Sequence, residues 1–534
     1  MPFVRGSVTA RGALLHSGLT VLAALMLSVG FVACGGDDCT ESSTCPGAGG
    51  GGGGGADGGA DGGADANGTV DPVTGKPSPG SFAFDPIAPQ PRVMHDGSLT
   101  VKLTIKRGEG QADDVVVTVN GLPPGVTAEP LTIKGSEDSG DLVVKVAAST
   151  TQGPFTATVE GATARNVKAS TGLDLFVRGR PGTIDTTFAS NGVLTVPPSR
   201  GTELGIDAQG RLYIGTQASL QRFSADGVAD TSFAAGALSA RTPLGVVVQP
   251  GGVYFFFNDN AHRVEKYSVG DGKLDTSYGG GDGRFERTGS QASGFAIADD
   301  GRAAMFAPFY SAARWHLQRV SPTGTSDGVI DSSTLSASPR PQLVRAAAFH
   351  TGKIVFVGEG HIARLSAGTY DTTFANVGYL EIDPGLLLND VIVDASNRYL
   401  VTGHRLSSNA LYLARVTTAG ALDPSFPPVT SAFAIKAEEI SVSNDNPSGY
   451  TFPYAGRLAL VPDGRIVQAA QVDEGGGLKC TVLRYQPDGK LDGVFGNQGR
   501  STLPTPGCTA RRVLIQPDGR IIVGGGTVVM RVWD

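Results

Sequence analysis

Residues that usually mark a catalytic or metal site are scarce in this sequence. Its 534 residues include seven His, five Cys and two Trp, and they contain neither the H-E-x-x-H zinc motif nor a P-loop. No two cysteines have the C-x-x-C spacing of a zinc or redox site. The histidines of the predicted folded region also lack metal-ligand spacing, and they are His95, His262, His316, His350, His361 and His404. We interpret His361 and His404 as rim or turn residues near strand ends. We therefore assign no catalytic residue, no metal ligand and no cofactor.

The chain also lacks a basic block and a sustained helical pattern. Its 43 Lys and Arg against 50 Asp and Glu give a formal net charge of −7, spread along the chain, which argues against a nucleic-acid partner. No apolar stripe of 3.6-residue period is sustained, whereas the 77 glycines occur together with abundant Val, Thr and Phe. This composition predicts an all-β protein with many turns.

Residues 1–33 have the pattern of a targeting segment. Two arginines form a positive n-region, and residues 19–33 are an uncharged apolar run. The run ends in "FVAC", which resembles the lipobox of bacterial lipoproteins except that Phe31 replaces the usual Leu. The resemblance implies that Cys34 is diacylated, becomes the new N-terminus and holds the protein to a membrane. An ordinary signal peptide or an uncleaved anchor is the alternative.

Residues 34–80 separate this anchor from the first predicted strand. They contain the run "GGGGGGGADGGADGGADANG". Because the run has no apolar side chain larger than Ala, it has nothing to bury, and we predict a disordered tether.

Four cysteines remain when Cys34 is set aside, an even number that suits an oxidising compartment. Cys39 and Cys45 lie close together beside the anchor, whereas Cys480 and Cys508 lie near the C-terminus. We assign all four to disulfides and pair Cys480 with Cys508. For this last pair, two buried free thiols are the alternative.

Residues 81–179 consist of short segments in which apolar and polar residues alternate. Examples are "SLTVKLTI", "DVVVTVNG" and "DLVVKVAA". About 100 residues of such strands are typical of an immunoglobulin-like (Ig-like) β-sandwich. The stretch "GLPPGVTA" resembles Ig-like modules of bacterial surface and secreted proteins. Because the segment has no Cys or Trp, the resemblance is to the sandwich class and not to the antibody-type core.

Residues 183–534 repeat four signals in a fixed order, seven times. A phrase such as "IDTTF" is followed by a short strand, a strand–turn–strand such as "IQPDGRIIV", and a strand with a central Arg or Lys such as "VLRYQPDG". The Asp of the phrase is Asp185, Asp230, Asp275, Asp331, Asp371, Asp423 and Asp492. Four strands per repeat predict blades around an axis, because one small twisted sheet cannot bury both of its faces alone. The predicted fold is therefore all-β, an Ig-like β-sandwich followed by a seven-bladed β-propeller.

The last repeat, with "LDGVFGNQG", "VLIQPDGRIIVGGG" and "VVMRVWD", resembles the bacterial delta-60 repeat. The resemblance covers residues 183–534 and implies a propeller-like array. It implies little chemistry, because members of that family are mostly uncharacterised.

We interpret the Asp phrase as structural. Its carboxylate can accept hydrogen bonds from backbone N–H groups two residues later and so fix the crossover between blades. The aromatic residue three positions after the Asp is placed to fill the space between adjacent sheets. In the strand–turn–strand, six repeats have Gly at the tight turn and the fifth has Asn397, as a left-handed backbone requires. A calcium or acid–base role for the seven Asp residues is the alternative.

The repeats diverge in loops that an up–down–up–down scheme places on one face of the propeller. On that face we also expect Cys480, at the start of the fourth strand of the sixth repeat, and Cys508, at the start of the second strand of the seventh. Aromatic, Asn and Asp side chains in these loops resemble a sugar- or peptide-binding rim in composition. The candidate rim residues are Tyr450, Phe452, Tyr454, Tyr310, Trp315, Asn258 and Asp259. Solvated loops without a ligand are the alternative.

The sequence thus predicts a lipid-anchored protein of the bacterial cell envelope, in the outer membrane and facing either the periplasm or the cell surface. Its partners would be the membrane, through the lipid, and a glycan, peptide or protein ligand bound without catalysis. A propeller-type hydrolase or lyase of the envelope is the alternative, since His, Asp and Arg from distant repeats can meet at an axis without a linear motif.

Replacing Cys34 by Ser tests the lipid anchor. The diacylglycerol would be attached to the sulfur atom of Cys34. The Cys34→Ser variant, which lacks this atom, should therefore move from the membrane fraction to the soluble fraction when cells are fractionated. Retention of the variant in the membrane fraction at the wild-type level would contradict the anchor.

Overall fold

The computed structural model describes residues 76–88, 90–197, 202–233, 242–259, 261–289, 292–309, 314–335, 344–434, 457–473, 478–504 and 508–534. Within these ranges the chain forms 37 strands and one 3₁₀ helix, Ser332–Thr334. All of them lie in the unit formed by residues 65–534. None of the helical structure described has the length and apolar character that a membrane span needs.

The first nine strands form two sheets over one core. They are β1 (Phe82–Phe84), β2 (Arg92–Met94), β3 (Ser98–Arg107), β4 (Val115–Asn120), β5 (Val126–Ala128), β6 (Leu131–Ile133), β7 (Ser139–Val146), β8 (Gly153–Ala162) and β9 (Lys168–Arg178). One sheet has the order β1-β3-β7-β5 and the other the order β2-β9-β8-β4-β6. Alternate residues of each strand point inward, so that Val101 and Leu103 of one sheet share a buried cluster with Val117 and Val159 of the other.

The remaining strands form seven further sheets, which we name A to G in chain order. Sheet A contains β11 (Glu203–Ile206), β12 (Leu212–Gly215) and β13 (Leu220–Phe223); sheet B contains β14 (Pro243–Gln249), β15 (Gly252–Asp259), β16 (Ala261–Tyr267) and β17 (Arg284–Thr288); sheet C contains β18 (Gly294–Ile297), β19 (Ala303–Phe309), β20 (Arg314–Val320) and β21 (Ser326–Asp331). Sheet D contains β22 (Ala346–His350), β23 (Lys353–Val357), β24 (His361–Ser366), β25 (Thr369–Tyr370) and β26 (Tyr379–Glu381); sheet E contains β27 (Leu386–Val393), β28 (Tyr399–Arg405), β29 (Ala410–Val416) and β30 (Val429–Ala434). Sheet F contains β31 (Arg457–Leu460), β32 (Ile466–Asp473), β33 (Leu478–Tyr485) and β34 (Arg500–Leu503); sheet G contains β35 (Cys508–Ile515), β36 (Ile521–Gly526), β37 (Val528–Val532) and, from earlier in the chain, β10 (Val193–Thr195).

These seven sheets pack on one another in a closed cycle. Separate hydrophobic clusters join A to B, B to C, C to D, D to E, E to F and F to G. A seventh cluster joins G back to A, because Ile522 and Val529 of sheet G pack with Leu212 and Ile214 of sheet A. The arrangement is therefore propeller-like, and the strands on the inside of the cycle are β11, β14, β18, β22, β27, β31 and β35.

Sheet G contains strands from both ends of the repeat region. Strand β10 pairs with β37, so that Val193 lies opposite Met530 and Thr195 opposite Val528. The earliest strand after Asp185 thereby completes the sheet formed by the last three strands of the chain, which closes the cycle with backbone hydrogen bonds.

The same pairing corrects the phase of the predicted repeat. The repeat pattern predicts that the strand after each Asp phrase begins a new blade, but in sheets B, D, E, F and G this strand forms the outer edge of the preceding sheet. In sheet B, the chain turns back at Asp275, whose N–H donates to the carbonyl of Lys266 (2.8 Å), and β17 then pairs with β16. The turn is too tight to carry the chain to the next sheet, so the strand returns to the one it has just left.

Six of the seven Asp phrases meet the Arg- or Lys-bearing strand of their own sheet. In sheet E, Nε of Arg415 donates to Oδ2 of Asp423 (2.7 Å) and Nη2 donates to the hydroxyl of Ser425 (3.0 Å). The guanidinium lies 4.6 Å from the ring centroid of Phe426, and Nη1 donates to the carbonyl of Pro487, beyond the third strand of sheet F (2.8 Å). We name this group the Arg–Asp cluster, and it links one sheet to the next.

Equivalent clusters occur around most of the cycle. The pairs are Arg222 with Asp230, Lys266 with Asp275, Arg364 with Asp371, Arg484 with Asp492, and Arg531 with Asp185. The fourth repeat differs, because Asp331 instead accepts from the N–H of Ser333 (2.7 Å) and caps the 3₁₀ helix.

The structural interpretation of the Asp phrase is confirmed. Asp423 Oδ1 accepts hydrogen bonds from both the N–H (2.9 Å) and the hydroxyl (2.7 Å) of Ser425, two residues later. The aromatic residues three positions after the Asp are buried between sheets, and they are Phe188, Phe233, Tyr278, Phe374, Phe426 and Phe495. At the tight turns, Asn397 has φ +62° and the glycines also have positive φ, as expected.

The predicted disulfide between Cys480 and Cys508 is present, with a Cα–Cα distance of 5.7 Å. It joins sheet F to sheet G. The strand assignment was shifted by one, because Cys480 lies in the third strand of sheet F and Cys508 begins the first strand of sheet G. Both residues lie at the ends of their strands that face the divergent loops, as predicted.

The two-sheet N-terminal region contacts sheet G through the last residues of the chain. The Trp533 ring packs edge-on against Phe176, with centroids 6.1 Å apart, and its Nε1 donates to Oε1 of Gln152 (2.8 Å). The same amide oxygen accepts from the N–H of Thr186 (2.9 Å). Gln152 therefore connects both chain ends of the repeat region to the N-terminal sheets.

Removing the carboxylate of one Arg–Asp cluster should destabilise the fold. In the Asp423→Ala variant, the buried guanidinium of Arg415 loses its ion-pair partner, and such losses cost about 3–5 kcal/mol. Urea unfolding of the full chain measures the change. Adding Arg415→Met to this variant should recover part of the loss, since no uncompensated charge then stays buried.

The matched control for this experiment is Asp488→Asn, which breaks the exposed ion pair with Lys490. Its effect should be far smaller than that of Asp423→Ala, because an exposed ion pair is screened by water and contributes little to stability. Equal losses for the buried and exposed pairs would contradict a structural role for the Arg–Asp cluster.

Candidate functional site

The inner strands of sheets B to G surround a cavity of about 440 Å³ on the axis of the cycle. Its wall contains Leu244 and Val247 from β14, Gly294–Ile297 from β18, Ala346–Phe349 from β22, Asn389–Val393 from β27, Arg457 from β31 and Arg512 from β35. These strands all begin at the face of the divergent loops, so one end of the cavity lies near the starts of the strands. The two ends differ in chemistry. The end near the strand starts carries the charged groups, and the other end is largely apolar.

Arg512 of sheet G contacts the next two sheets of the cycle, A and B. Its Nε donates to Oε2 of Glu203 (2.6 Å), and its Nη2 donates to the carbonyl of Leu244 (3.0 Å). The guanidinium also lies 5.9 Å from the ring centroid of Phe295. Glu203 is buried in β11, so the sheet without a residue in the cavity wall contributes the counter-charge of Arg512.

Arg457 connects sheets E and F at the cavity. Its Nη1 donates to the carbonyl of Asn389 (2.9 Å) and lies 3.8 Å from a carboxylate oxygen of Asp390. The other carboxylate oxygen of Asp390 accepts from the backbone N–H of Leu458 (3.0 Å). The carboxylate is thus shared between a guanidinium and a backbone donor of the neighbouring sheet.

Two β-bulges position the backbone carbonyls that Arg512 and Arg457 contact. The ladder between β14 and β15 shifts at Leu244, and the ladder between β27 and β28 shifts at Asn389. A bulged residue leaves the regular ladder and re-aims its backbone groups. Both bulged carbonyls accept from a cavity arginine, so the bulges and the polar end of the cavity belong to one arrangement.

His404 lies behind the cavity wall, on β28. Its Nδ1 is 3.2 Å from the side-chain nitrogen of Asn389. Burial, together with the positive charge of Arg345, lowers the pKa of His404 to about 4. The ring is therefore neutral at pH 7.

The placement of His404 and His361 corrects their interpretation as rim or turn residues. Both are buried within strands. His361 lies 3.2 Å from a carboxylate oxygen of Glu381. A position near the end of a strand in the sequence does not show whether the side chain is exposed, and here both histidine side chains are buried.

Most candidate rim residues are outside the described residues. This applies to Tyr310, Tyr450, Phe452 and Tyr454, and also to the cysteines Cys34, Cys39 and Cys45. Asn258 and Asp259 end β15, where they lie opposite His262 and Ala261 in the hairpin with β16.

Trp315 is not a rim residue. Its side chain is fully buried and packs against Phe306 and Phe356, with ring centroids 5.4 and 5.2 Å away. These contacts fill the space between sheets C and D. The rim prediction is wrong for this residue, because an aromatic residue near a loop fills a core when its strand turns it inward.

Two features of the structure bear on the enzyme alternative. His262 and His316 form a buried pair with ring centroids 4.7 Å apart, and burial, more than neighbouring charge, lowers the pKa of His262 to about 3 and that of His316 to about 4. The stretch "GTSDG" around Ser326 has the pattern of a nucleophile elbow. However, Ser326 begins a strand of an antiparallel sheet and accepts from Nε2 of Gln318 (3.0 Å), which is not the strand–turn–helix context of that motif.

A metal role for the recurring Asp residues finds no support in the part of the chain that the structure describes, where no group of three or more His, Cys, Asp or Glu side chains is arranged to hold an ion. Six of the seven carboxylates instead bind an Arg or Lys of their own sheet.

A protein-family model matches residues 395–426, and its description is a domain of unknown function (DUF5122) that forms a β-propeller. The matched residues run from the tight turn at Asn397 through the Arg–Asp cluster of sheet E. This match agrees with the propeller-like arrangement of sheets A to G. Comparison with curated proteins found no relative.

Several solved structures resemble the chain at low similarity. The extracellular domain of a putative hybrid two-component system from Bacteroides thetaiotaomicron has 9% identity and a TM-score of 0.37, and the alignment covers 83% of this chain and 58% of that one. An endo-arabinase from B. thetaiotaomicron has 10% identity and a TM-score of 0.25, with 44% of this chain and 90% of that chain covered. At these scores the similarities carry no conclusion about ligand or activity.

Substituting Arg345 by Gln tests whether the charge of Arg345 lowers the pKa of His404. Removing the positive charge should raise the pKa of His404 above about 4 but leave it below the ordinary 6.5, because burial persists. NMR of histidine-labelled protein measures this pKa, with His316 as the internal control, since its lowered pKa arises from burial and Arg287. An unchanged pKa for His404 would contradict the coupling.

Proposed function

We propose that this protein is a lipid-anchored binding module of the bacterial cell envelope, located in the outer membrane. In this proposal residues 1–33 are a lipoprotein signal peptide, Cys34 carries the lipid, and residues 34–80 are a tether. Residues 81–179 form an Ig-like sandwich, and residues 183–534 form a seven-bladed propeller of delta-60 type. The ligand is a glycan, a peptide or a segment of a partner protein.

The axial cavity is the observation that carries the binding role. Its volume of about 440 Å³ lies within the range of roughly 300–1,000 Å³ that ligand pockets occupy. An apolar wall of Leu244, Phe295 and Ala346–Ala348 faces a few oriented polar groups, which is the composition of small-ligand sites. Asp390, Arg457 and Arg512 come from three different sheets, so the closed cycle holds these polar groups in place.

Filling the axial cavity with a larger side chain tests whether it is the binding site. Purified full-length protein in detergent is screened against immobilised glycans and peptides, and hits are measured by calorimetry. The Ala348→Phe variant places an aromatic ring in the cavity and should weaken binding at least tenfold. The matched control, Ala395→Phe, changes an exposed turn residue and should bind like the wild type.

Two outcomes would contradict the proposal. Ligands that bind Ala348→Phe and wild type equally would exclude the axial cavity as the site. Chemical conversion of a bound ligand would show an enzyme instead of a binding module.

A further inference from the structure

The junction between sheets C and D lacks the Asp-x-x-aromatic arrangement of the other junctions. In sheet E, Asp423 follows the arginine of the Arg–Asp cluster by eight residues, and the aromatic residue comes three positions later. The same count from Arg319 of sheet C leads to Asp327 and then to Ile330. Asp331, which caps the 3₁₀ helix, lies at the far end of β21. Sheet C therefore has an aliphatic side chain where the six other Asp phrases have a ring.

Arg319 does not form the contacts that define an Arg–Asp cluster. In sheet E, the side chain of Arg415 donates to the carboxylate and the hydroxyl of its own phrase and to a carbonyl of sheet F. Among the described residues, the side chain of Arg319 donates no hydrogen bond, although its Nε is buried. The carboxylate of Asp327 lies 3.9 Å from this Nε and is half exposed. A buried donor without an acceptor is rare in native structures, so Arg319 is placed for an acceptor that sheet C does not supply.

The arginine in the tight turn of sheet C also lacks a phrase carboxylate. In sheet E, Nη1 of the turn arginine Arg398 donates to Asp423 (3.3 Å). The equivalent Arg302 of sheet C is paired with Asp300 in its own turn (2.8 Å). No contact within the described part of the chain joins Arg302 to Asp327. Two guanidinium groups therefore border a position that holds a bound carboxylate in sheet E.

A cavity of about 130 Å³ lies beside Ile330 at this junction. Its polar lining includes both guanidinium groups and Asp327, and its wall is otherwise largely apolar, with Val320, Ile330, Phe349, Ile354 and Leu365. An apolar cavity of about 150 Å³ is able to hold benzene. The cavity at the junction thus has about the size of one phenyl ring.

Packing across the junction is looser than at the junction of sheets E and F. A Cβ atom built on Gly489, in the turn between the last two strands of sheet F, would lie 2.8 Å from the ring of Phe426. A Cβ atom built on Gly368, in the corresponding turn of sheet D, would lie 3.6 Å from Ile330. The smaller side chain therefore leaves space where the ring packs in sheet E.

We propose that the junction of sheets C and D binds a segment of a partner protein that carries an acidic residue and, three residues later, a phenylalanine. The ring fills the cavity beside Ile330, and the carboxylate binds Arg319 and Arg302 in place of the loose contact with Asp327. The occupant is inferred from the six other Asp phrases, which place a carboxylate and a ring together within this chain. The site is separate from the axial cavity, so the inference goes beyond the proposed function.

A peptide copied from the first Asp phrase tests this site. Full-length protein in detergent is titrated by calorimetry with acetyl-IDTTFA-amide, the sequence of residues 184–189. Two analogues replace its Asp by Asn or its Phe by Ala. Each analogue should bind at least about tenfold more weakly, because it lacks either the charge-assisted hydrogen bonds or the buried ring.

Variants of the protein locate the peptide. Ile330→Phe should abolish binding, because the chain then supplies the ring itself. The matched control is Val329→Phe, at an exposed neighbouring position, and it should bind like the wild type. Arg319→Gln should remove the preference for the Asp peptide over its Asn analogue. Arg165→Gln, at an exposed arginine of the N-terminal sheets, should keep this preference.

Far-UV circular dichroism checks the folding of each variant. If Ile330→Phe does not fold, the peptide analogues and Arg319→Gln still decide the question. Absence of peptide binding, equal binding of the analogues, or full binding by folded Ile330→Phe would overturn the inference. The peptide should still bind Ala348→Phe, whereas a ligand of the axial cavity should not, so failure at one site is distinguishable from failure at the other. Loss of the peptide from Ala348→Phe alone would also overturn the inference.

Discussion

The buried ion pair between an Asp phrase and the arginine of its own sheet is the interaction on which the repeat region depends. In sheet G, Arg531 and Asp185 are both fully buried, and Nη1 of Arg531 continues to the carbonyl of Ala225 in the following sheet (2.8 Å). A guanidinium removed from water is tolerated only when its donors are satisfied. The five clusters that contain an arginine each reach the neighbouring sheet and require it to be in place, which makes the cycle of sheets A to G cooperative.

Much of this fold could be predicted from the sequence because the repeats report on local constraints. The left-handed turn at Asn397 and the hydrogen bonds of the Asp phrase depend on residues close together in the chain. A recurring short motif therefore predicts them. The phase of the repeat was not predictable in the same way. Whether the strand after Asp275 pairs forward or backward depends on the path of the chain, and periodicity is identical in both cases.

The candidate site was harder to predict for a related reason. Sequence divergence directed attention to aromatic residues in loops, and one of them, Trp315, proved to fill the space between two sheets. The polar end of the axial cavity instead depends on Arg345, Arg457 and Arg512, which lie far apart in the chain and converge only when the cycle closes. Two β-bulges, at Leu244 and Asn389, supply its backbone contacts, and a bulge leaves little trace in the residue pattern.

Hydrogen–deuterium exchange of an Asp185→Asn variant tests most directly whether the Arg–Asp clusters hold a closed cycle together. Asp185 lies where sheet G receives β10, so the account predicts faster exchange in the inner strands of all seven sheets, including sheets C and D on the far side, because opening one junction removes support from every sheet. Strands β1–β9 should keep their wild-type exchange rates. Faster exchange confined to sheets G and A would contradict the account, since it would show that each cluster stabilises only its own pair of sheets.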